Sequence, residues 1–141
     1  MKRVALVGNP NSGKTSLFNA LTGLRQKTGN YPGITVEKVE GPLRLEDGTS
    51  CILQDLPGAY SLHPTSFEEK VVCQVLANPL HPDYPDLIVY VLDIQHIEKQ
   101  MLLFTQVMEL RLPVILALNM SDQKNLQYYV YDDRKMAVQL G

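Results

Sequence analysis

Eight consecutive residues near the amino terminus, Gly8-Asn9-Pro10-Asn11-Ser12-Gly13-Lys14-Thr15, have the types and spacing that hold a phosphate chain. They fit G-x-x-x-x-G-K-[ST] after a short apolar run and at the start of an amphipathic one, the strand–helix context that gives the pattern its meaning. Gly8 and Gly13 permit a loop whose successive N–H groups point inward at phosphate oxygens. Ser16 follows in the first helical turn, where the positive end of the helix dipole adds attraction. Lys14 is expected to reach the β- and γ-phosphates as a point charge, and the Thr15 hydroxyl to ligate Mg2+. The bland alternative, a strand–helix turn that binds nothing, leaves the Lys-Thr pair unexplained.

Three further clusters follow in order. In Asn30-Tyr31-Pro32-Gly33-Ile34-Thr35-Val36-Glu37, a mobile loop can bring the Thr35 hydroxyl to Mg2+ and its N–H to a γ-phosphate. Gly33 and Ile34 lead into that threonine and are counted with the site. Asp55-Leu56-Pro57-Gly58 puts a carboxylate at a strand end, where it can hold Mg2+ through a water. Gly58 lets its N–H come close to the γ-phosphate. By itself D-x-P-G is a common turn; downstream of a phosphate loop it reads as part of the same site. Asn119-Met120-Ser121-Asp122 supplies a carboxylate that can accept from both N1–H and N2–H2 of guanine, a donor pair that adenine lacks. A buried polar mismatch costs about 1–3 kcal/mol per group, enough to set base choice. Met120 stands where many related loops have Lys, and its aliphatic body can still cover the base.

For these clusters to meet, several strand ends must reach one edge of a sheet. Short apolar runs alternate with longer amphipathic ones, the pattern of βα units on a mostly parallel sheet with helices on both faces. Strands are expected over 4–7, 36–45, 51–53, 87–92 and 114–118. Pro42 suggests that the second lies at an edge, and Asp47-Gly48 signals a hairpin between the second and third. Helices are expected over 14–21, 68–76 and 98–110, the last stopped by Pro113. A short fourth, capped by Asp132, is expected up to Leu140. The fold class is α/β, a single domain over 1–141.

Composition agrees and excludes rivals. The 141 residues are 45% apolar and 20% charged with a net charge of −2. That balance suits a globular core and not a disordered chain. No basic stretch marks a nucleic-acid partner. Cys51 and Cys73 lie in apolar stretches without C-x-x-C spacing, as buried reduced thiols do. No apolar run approaches the roughly 20 residues needed to cross a bilayer, so the chain is expected to be soluble. His63, His81 and His96 are isolated in sequence and suggest no metal site.

The order of the four clusters resembles the G1 to G4 elements of Ras-like P-loop GTPases. Within that superfamily, GNPNSGKTSLFNALTG at 8–23, NYPGITVEKVEG at 30–41, DLPGAYSL at 55–62 and LALNMSD at 116–122 resemble the FeoB ferrous-iron transport proteins. The resemblance covers essentially the whole chain. It implies a three-layer GTPase fold, GTP and GDP as ligands, Mg2+ as cofactor, and hydrolysis in which Lys14, Thr35, Asn11 and Gly58 take part. It also implies that Asn11 is a K+ ligand near the β–γ bridge. In a complete protein it implies a helical regulatory domain, a permease, possible oligomers and a place at the cytoplasmic face of the bacterial inner membrane.

Two departures from the superfamily carry expectations. Ala59 follows D-x-x-G where many members have a water-orienting Gln, so slow intrinsic turnover is expected. No G5 element is recognisable: the chain is expected to stop before the last strand and helix, leaving strand 114–118 at an exposed edge and nucleotide affinity weakened. The rival readings are a ribosome- or tRNA-associated GTPase, which would want a basic surface, and a regulatory module in which hydrolysis only resets a binding state. A nucleotide kinase is a third, but it has no place for N-x-x-D.

Overall fold

The computed structural model describes residues 2–122, 125–132 and 135–140, the last stretch by its backbone. Its sheet runs in the order β2-β3-β4-β1-β5-β6-β7-β8. The strands are β1 (Lys2–Val7), β2 (Lys27–Asn30), β3 (Glu37–Arg44), β4 (Ser50–Asp55), β5 (Leu87–Asp93), β6 (Val114–Asn119), β7 (Tyr128–Asp132) and β8 (Lys135–Leu140). The helices are α1 (Lys14–Thr22), α2 (Phe67–Ala77) and α3 (Ile97–Glu109), with one 3-10 turn at Ile94–His96. The four central strands β4, β1, β5 and β6 are parallel, and antiparallel pairs flank them on both sides.

Alternation along β1 sorts the core into two layers. Val4 and Leu6 pack with Leu17 and Phe18 of α1, while Ala5 and Val7 pack with Val71, Val72 and Val75 of α2 and Leu103 and Val107 of α3. Helices therefore cover both faces, as a parallel centre requires. Each fully buried Leu or Val in these layers contributes about 1.5–3 kcal/mol.

Pro42 lies beyond the stretch of β3 that β2 covers, Glu37 to Glu40, so β3 is itself the edge there. Strand β2 escapes a sequence reading because all four of its residues are exposed and it carries no apolar alternation.

Two expectations need correction. Strand β6 is not an edge, because the chain turns back after Asn119 and β7 pairs with it from Leu116↔Tyr131 to Asn119↔Tyr128. Tyr-Tyr-Val-Tyr is rich in strand formers, and the turn is closed by Met120 N–H to Gln127 O at 2.8 Å. The short helix expected before Leu140 is also absent. Residues 135–140 pair with β7 instead, an arrangement that satisfies two backbones where so short a helix is marginal by itself. Gly141 lies outside the described residues. Among the described residues no helix is long and apolar enough to cross a membrane.

Candidate functional site

The loop from Gly8 to Gly13 leaves β1 and turns into α1. Gly8 has no room for a side chain, since a Cβ there would stand 2.6 Å from the Val91 carbonyl oxygen of the neighbouring parallel strand. Gly13 caps α1 with φ +93° and offers no side-chain acceptor, and the first turn of α1 holds no acidic residue. The first-turn N–H groups, which helical geometry leaves without partners, are therefore not taken up by a capping side chain. Asn9 is pinned to α3 by its Nδ2, which donates to the Lys99 carbonyl at 3.1 Å. Asn11 is exposed and sits at φ 64°, a left-handed conformation that Asn tolerates better than most residues. Asn9, Pro10, Asn11, Lys14, Thr15 and Ser16 line one hollow of about 430 Å3, which Gly13 and Gly58 complete.

Lys14 is buried, and its ammonium donates to Asp55 Oδ1 at 2.7 Å and to the Leu56 carbonyl at 2.6 Å. Thr15 Oγ1 lies 3.2 Å from Asp55 Oδ2. A hydroxyl from the first turn of α1 and a carboxylate from the end of β4 thus converge, a hard oxygen pair suited to Mg2+. Thr35 stands on the rim of an adjoining hollow of about 500 Å3 that Lys14, Thr15, Asp55, Pro57 and Gly58 also line. Residues of three of the four sequence-predicted clusters thereby share one opening. Gly33 lies exposed at φ +76° and Ile34 is half buried against the core.

Gly58 has a role beyond any ligand, since a Cβ there would meet Pro10 N, Cα and Cγ at 2.8 Å. The segment after Asp55 lies directly against the phosphate loop. Ala59 continues that contact with an N–H to Gly8 O bond of 3.1 Å, and its methyl is fully buried. It has neither the chemistry nor the exposure to orient a water.

The third wall is the Asn119 loop. Asn119 Nδ2 donates to the Ser12 carbonyl at 2.9 Å, and its Oδ1 accepts from Ser121 N–H at 2.9 Å. Asp122 is exposed and accepts at Oδ1 from Asn125 N–H at 2.8 Å. Met120 is exposed as well. From β7, the Tyr128 hydroxyl donates to the Gly13 carbonyl at 2.7 Å.

Several of these supports were missed in the sequence. Tyr128 gave no signal. Gln100, fully buried, links α3 to the end of β5: its side chain accepts from Asp93 N–H at 2.8 Å and donates to Asp93 O at 2.8 Å. Glu69 did leave a signal, the Ser66-x-x-Glu69 capping pattern. Ser66 Oγ accepts from Glu69 N–H at 3.1 Å. The Glu69 carboxylate gathers the loop after Gly58, accepting from Tyr60 N–H at 2.8 Å, Thr65 N–H at 3.1 Å and Thr65 Oγ1 at 2.7 Å. These bonds, Tyr60's first, hold its carboxyl below the usual range. His81 Nδ1 accepts from Asp83 N–H at 3.0 Å, and His96 offers its carbonyl to Gln100. Among the described residues no three of His, Cys, Asp and Glu are gathered as a metal site. Cys51 is buried and Cys73 half buried, both as free thiols.

Comparison with known proteins then places this geometry. A family profile described as ferrous iron transport protein B matches residues 2–141. The chain is 43% identical over 139 residues to the Fe(2+) transport protein A/Fe(2+) transporter FeoB fusion protein of Porphyromonas gingivalis, covering 99% of this chain and 16% of that protein. It is 42% identical over 142 residues to the Fe(2+) transporter FeoB of Salmonella typhimurium, covering 98% and 18%. The chain thus spans less than a fifth of the length of these curated relatives. Among solved structures, the G domain of the T. maritima FeoB iron transporter aligns with a TM-score of 0.78 at 43% identity, over 87% of this chain and 74% of that one. A mutant of S. thermophilus NFeoB bound to GDP aligns with a TM-score of 0.75 at 45% identity, over 85% and 45%.

Proposed function

The chain belongs to the ferrous iron transport protein B family, and on that premise we propose that residues 1–141 act as a G domain: they bind GTP and GDP with Mg2+, hydrolyse GTP, and by the movement of their loops regulate or drive Fe(II) uptake. The observation that carries the reading is the convergence of Lys14, Thr15, Thr35, Asp55 and Gly58 on one opening, with Asn119 tying the Asp122 loop to the phosphate loop.

The residues fit the work. Phosphate oxygens would be met by N–H groups of Asn11 and of Gly13 to Ser16, with Gly8 to Pro10 and Ser12 shaping the loop. They would offer Lys14 a replacement for Asp55, which frees the carboxylate to hold Mg2+ with Thr15 and Thr35. Bound there, Mg2+ supplies neutralisation of the charge that develops on the β- and γ-phosphates. Gly33, Ile34, Leu56, Pro57 and Gly58 present backbone groups to the terminal phosphate, and those groups, rather than Ala59, would have to place the attacking water. This supports a slow intrinsic rate. Asn11 is on the rim of the phosphate hollow, where its side-chain oxygen is available to K+. Asn119, Met120, Ser121 and Asp122 would form the base pocket, with Asp122 selecting guanine.

In a complete protein the domain would join a helical regulatory domain and a permease at the cytoplasmic face of the inner membrane, with or without assembly into oligomers. A ribosome- or tRNA-associated role is not favoured, because the matched family is one of iron transporters.

Binding of GDP and ADP to wild type and Asp122→Asn tests the reading. Wild type should prefer GDP, and the variant should lose about 10- to 100-fold of that preference through two mispaired donors. A wild type that holds ADP as well as GDP would falsify it.

A further inference from the structure

The loop that carries Thr35 is closed at its base and seated beside an ion-pair cluster of Arg3, Lys38, Glu40 and Asp83. Tyr31 N–H donates to Val36 O at 3.0 Å, and Ile34 N–H to Tyr31 O at 3.2 Å. Tyr31 and Val36 are buried, while Pro32, Gly33 and Thr35 between them are exposed. Motion of Thr35 is therefore hinged at two anchored residues. Beside Tyr31, Lys38 of β3 holds its ammonium 6.0 Å from the ring centre.

Lys38 is itself held from elsewhere. Its Nζ donates to Asp83 Oδ1 at 2.6 Å, and Arg3 Nη1 lies 3.4 Å from the same oxygen. Asp83 comes from the loop between α2 and β5, yet its side chain is only 2% exposed. That loop is fixed independently of the carboxylate, since Gln54 Nε2 donates to the Asp83 carbonyl at 2.7 Å and Asp83 N–H to His81 Nδ1 at 3.0 Å. Glu40 completes the set beside Arg3, with Lys38 3.9 Å away. Two cations thus face two carboxylates in a closed, charge-balanced group. Losing one carboxylate would leave a partly buried cation uncompensated, which the cluster can relieve only by moving Lys38 or Arg3 toward water. Lys38 is the mobile candidate, because it stands three residues past Thr35 and against the Tyr31 ring.

We propose that Asp83 is a positioning residue for GTP hydrolysis: through Lys38 and Tyr31 it fixes the base of the Thr35 loop, so that Thr35 meets Mg2+ and the terminal phosphate at the right place. The proposal rests on the G-domain reading above. It makes the α2–β5 loop, remote in sequence from all four nucleotide motifs, a handle on GTP chemistry. Its signature is selectivity between nucleotides. On that reading the Thr35 N–H meets the terminal phosphate, which GDP lacks, so a fault in its seating should cost GTP far more than GDP.

The test uses Asp83→Asn, which keeps the side chain's shape and both backbone anchors while removing the charge. Affinity for GDP and for a non-hydrolysable GTP analogue, and kcat for GTP, are measured for wild type, Asp83→Asn, Lys38→Met and the double variant. The expected result is GDP affinity within about twofold of wild type, with analogue affinity and kcat each reduced roughly five- to twentyfold, the scale of a coupling between two sites. The double variant should be no worse than the single ones, because both break the same link. Because the chain has no tryptophan, Tyr31→Trp adds a single indole at the loop base that can be excited at wavelengths where the tyrosines do not absorb, and its response to the GTP analogue should be blunted by Asp83→Asn. Equal losses for GDP and the analogue would reduce Asp83 to a structural residue and overturn the proposal, as would an unchanged kcat. If wild type itself binds neither nucleotide, it is the G-domain reading that fails.

Discussion

Replacing Gly13 by Ala should break the joint between the phosphate loop and the Asn119 loop, and its cost can be separated from the general cost of a side chain at positive φ. A Cβ on Gly13 would stand 2.1 Å from Asn119 Nδ2 and 2.9 Å from the Tyr128 hydroxyl. Ordinary carbon contacts are about 3.5–4 Å, so both side chains must withdraw. Two hydrogen bonds go with them: Asn119 to Ser12 O at 2.9 Å and Tyr128 to Gly13 O at 2.7 Å. At about 1 kcal/mol each this is a loss of about 2 kcal/mol. Alanine in the left-handed region adds about 1–2 kcal/mol, offset in part by a less flexible unfolded chain. Gly48, in the β3–β4 turn at φ +88°, would pay the same backbone cost with nothing within 4 Å of its added Cβ. The difference between the two variants therefore isolates the joint. Gly13→Ala should melt below Gly48→Ala by about 6 °C, taking about 3 °C per kcal/mol for a chain of this size. It should also bind GDP at least about tenfold more weakly, while Gly48→Ala binds as wild type does. Thermal unfolding and a GDP titration on the same samples decide the matter. If the two variants melt together and bind GDP alike, Asn119 and Tyr128 do not couple to the phosphate loop, and that part of the site's construction is wrong.

Three other outcomes are expected. Lys14→Met leaves the Asp55 carboxylate, 10% exposed, without its cation, so the nucleotide-free protein should lose about 3 kcal/mol in urea unfolding; adding Asp55→Asn should restore most of it, and a fully stable Lys14→Met would show that the pair does not form. Glu69 is held below its ordinary value of 4.5, so its contribution to stability is present above that pH and is lost as pH falls through and below it; Glu69→Gln should flatten the acid side of the unfolding profile and leave the slope near neutrality unchanged. Hydrolysis should be faster in KCl than in NaCl, and Asn11→Gly, which keeps the φ of 64° open to the backbone but removes the side-chain oxygen, should erase that difference; equal wild-type rates in the two salts would remove K+ from the site.

The order of the phosphate loop, Thr35, Asp55 and Asn119 was legible because each cluster puts polar groups next to a strand end, three of them with Gly or Pro, and strand ends on one edge of a parallel sheet are forced together. The central strands were equally legible, since β1, β5 and β6 are apolar runs too short to be helices. What escaped was set by pairing rather than by pattern. Strand β2 has four exposed residues and is specified only by its register with β3. The β7–β8 hairpin competes with a plausible helical reading of 132–140, and only its backbone partnership with β6 decides between them. Asp83 gave no hint, because a carboxylate beside Pro82 in a polar loop reads as solvent-facing until β3 and β1 bring Lys38 and Arg3 to it. Glu69 carries a capping pattern with Ser66 that the sequence reading passed over, and that pattern gives no hint of the loop it organises.

The hydrogen bonds around the phosphate loop say which sign of charge it is built for. Four of its six carbonyls are already engaged: Gly8 O by Ala59 N–H, Asn9 O by Ser12 N–H, Ser12 O by Asn119, and Gly13 O by both Leu17 N–H and Tyr128. The segment after Asp55, the Asn119 loop and β7 each reach the loop through one of these acceptors, so the contacts that fix its shape also take up much of its backbone capacity for a cation. The groups left over are donors, namely the first-turn N–H groups of α1 and the Lys14 ammonium, which at present is satisfied by Asp55 and the Leu56 carbonyl. A site whose acceptors are used internally and whose donors converge on a hollow favours an anion. Of the nearby side-chain acceptors, the Thr15 hydroxyl, the Asp55 carboxylate and Thr35 line the adjoining hollow, while Asn11 lines the phosphate hollow. On the proposed reading the anion and the divalent cation would take adjacent halves of one opening, and Lys14 would have to leave one half to serve the other.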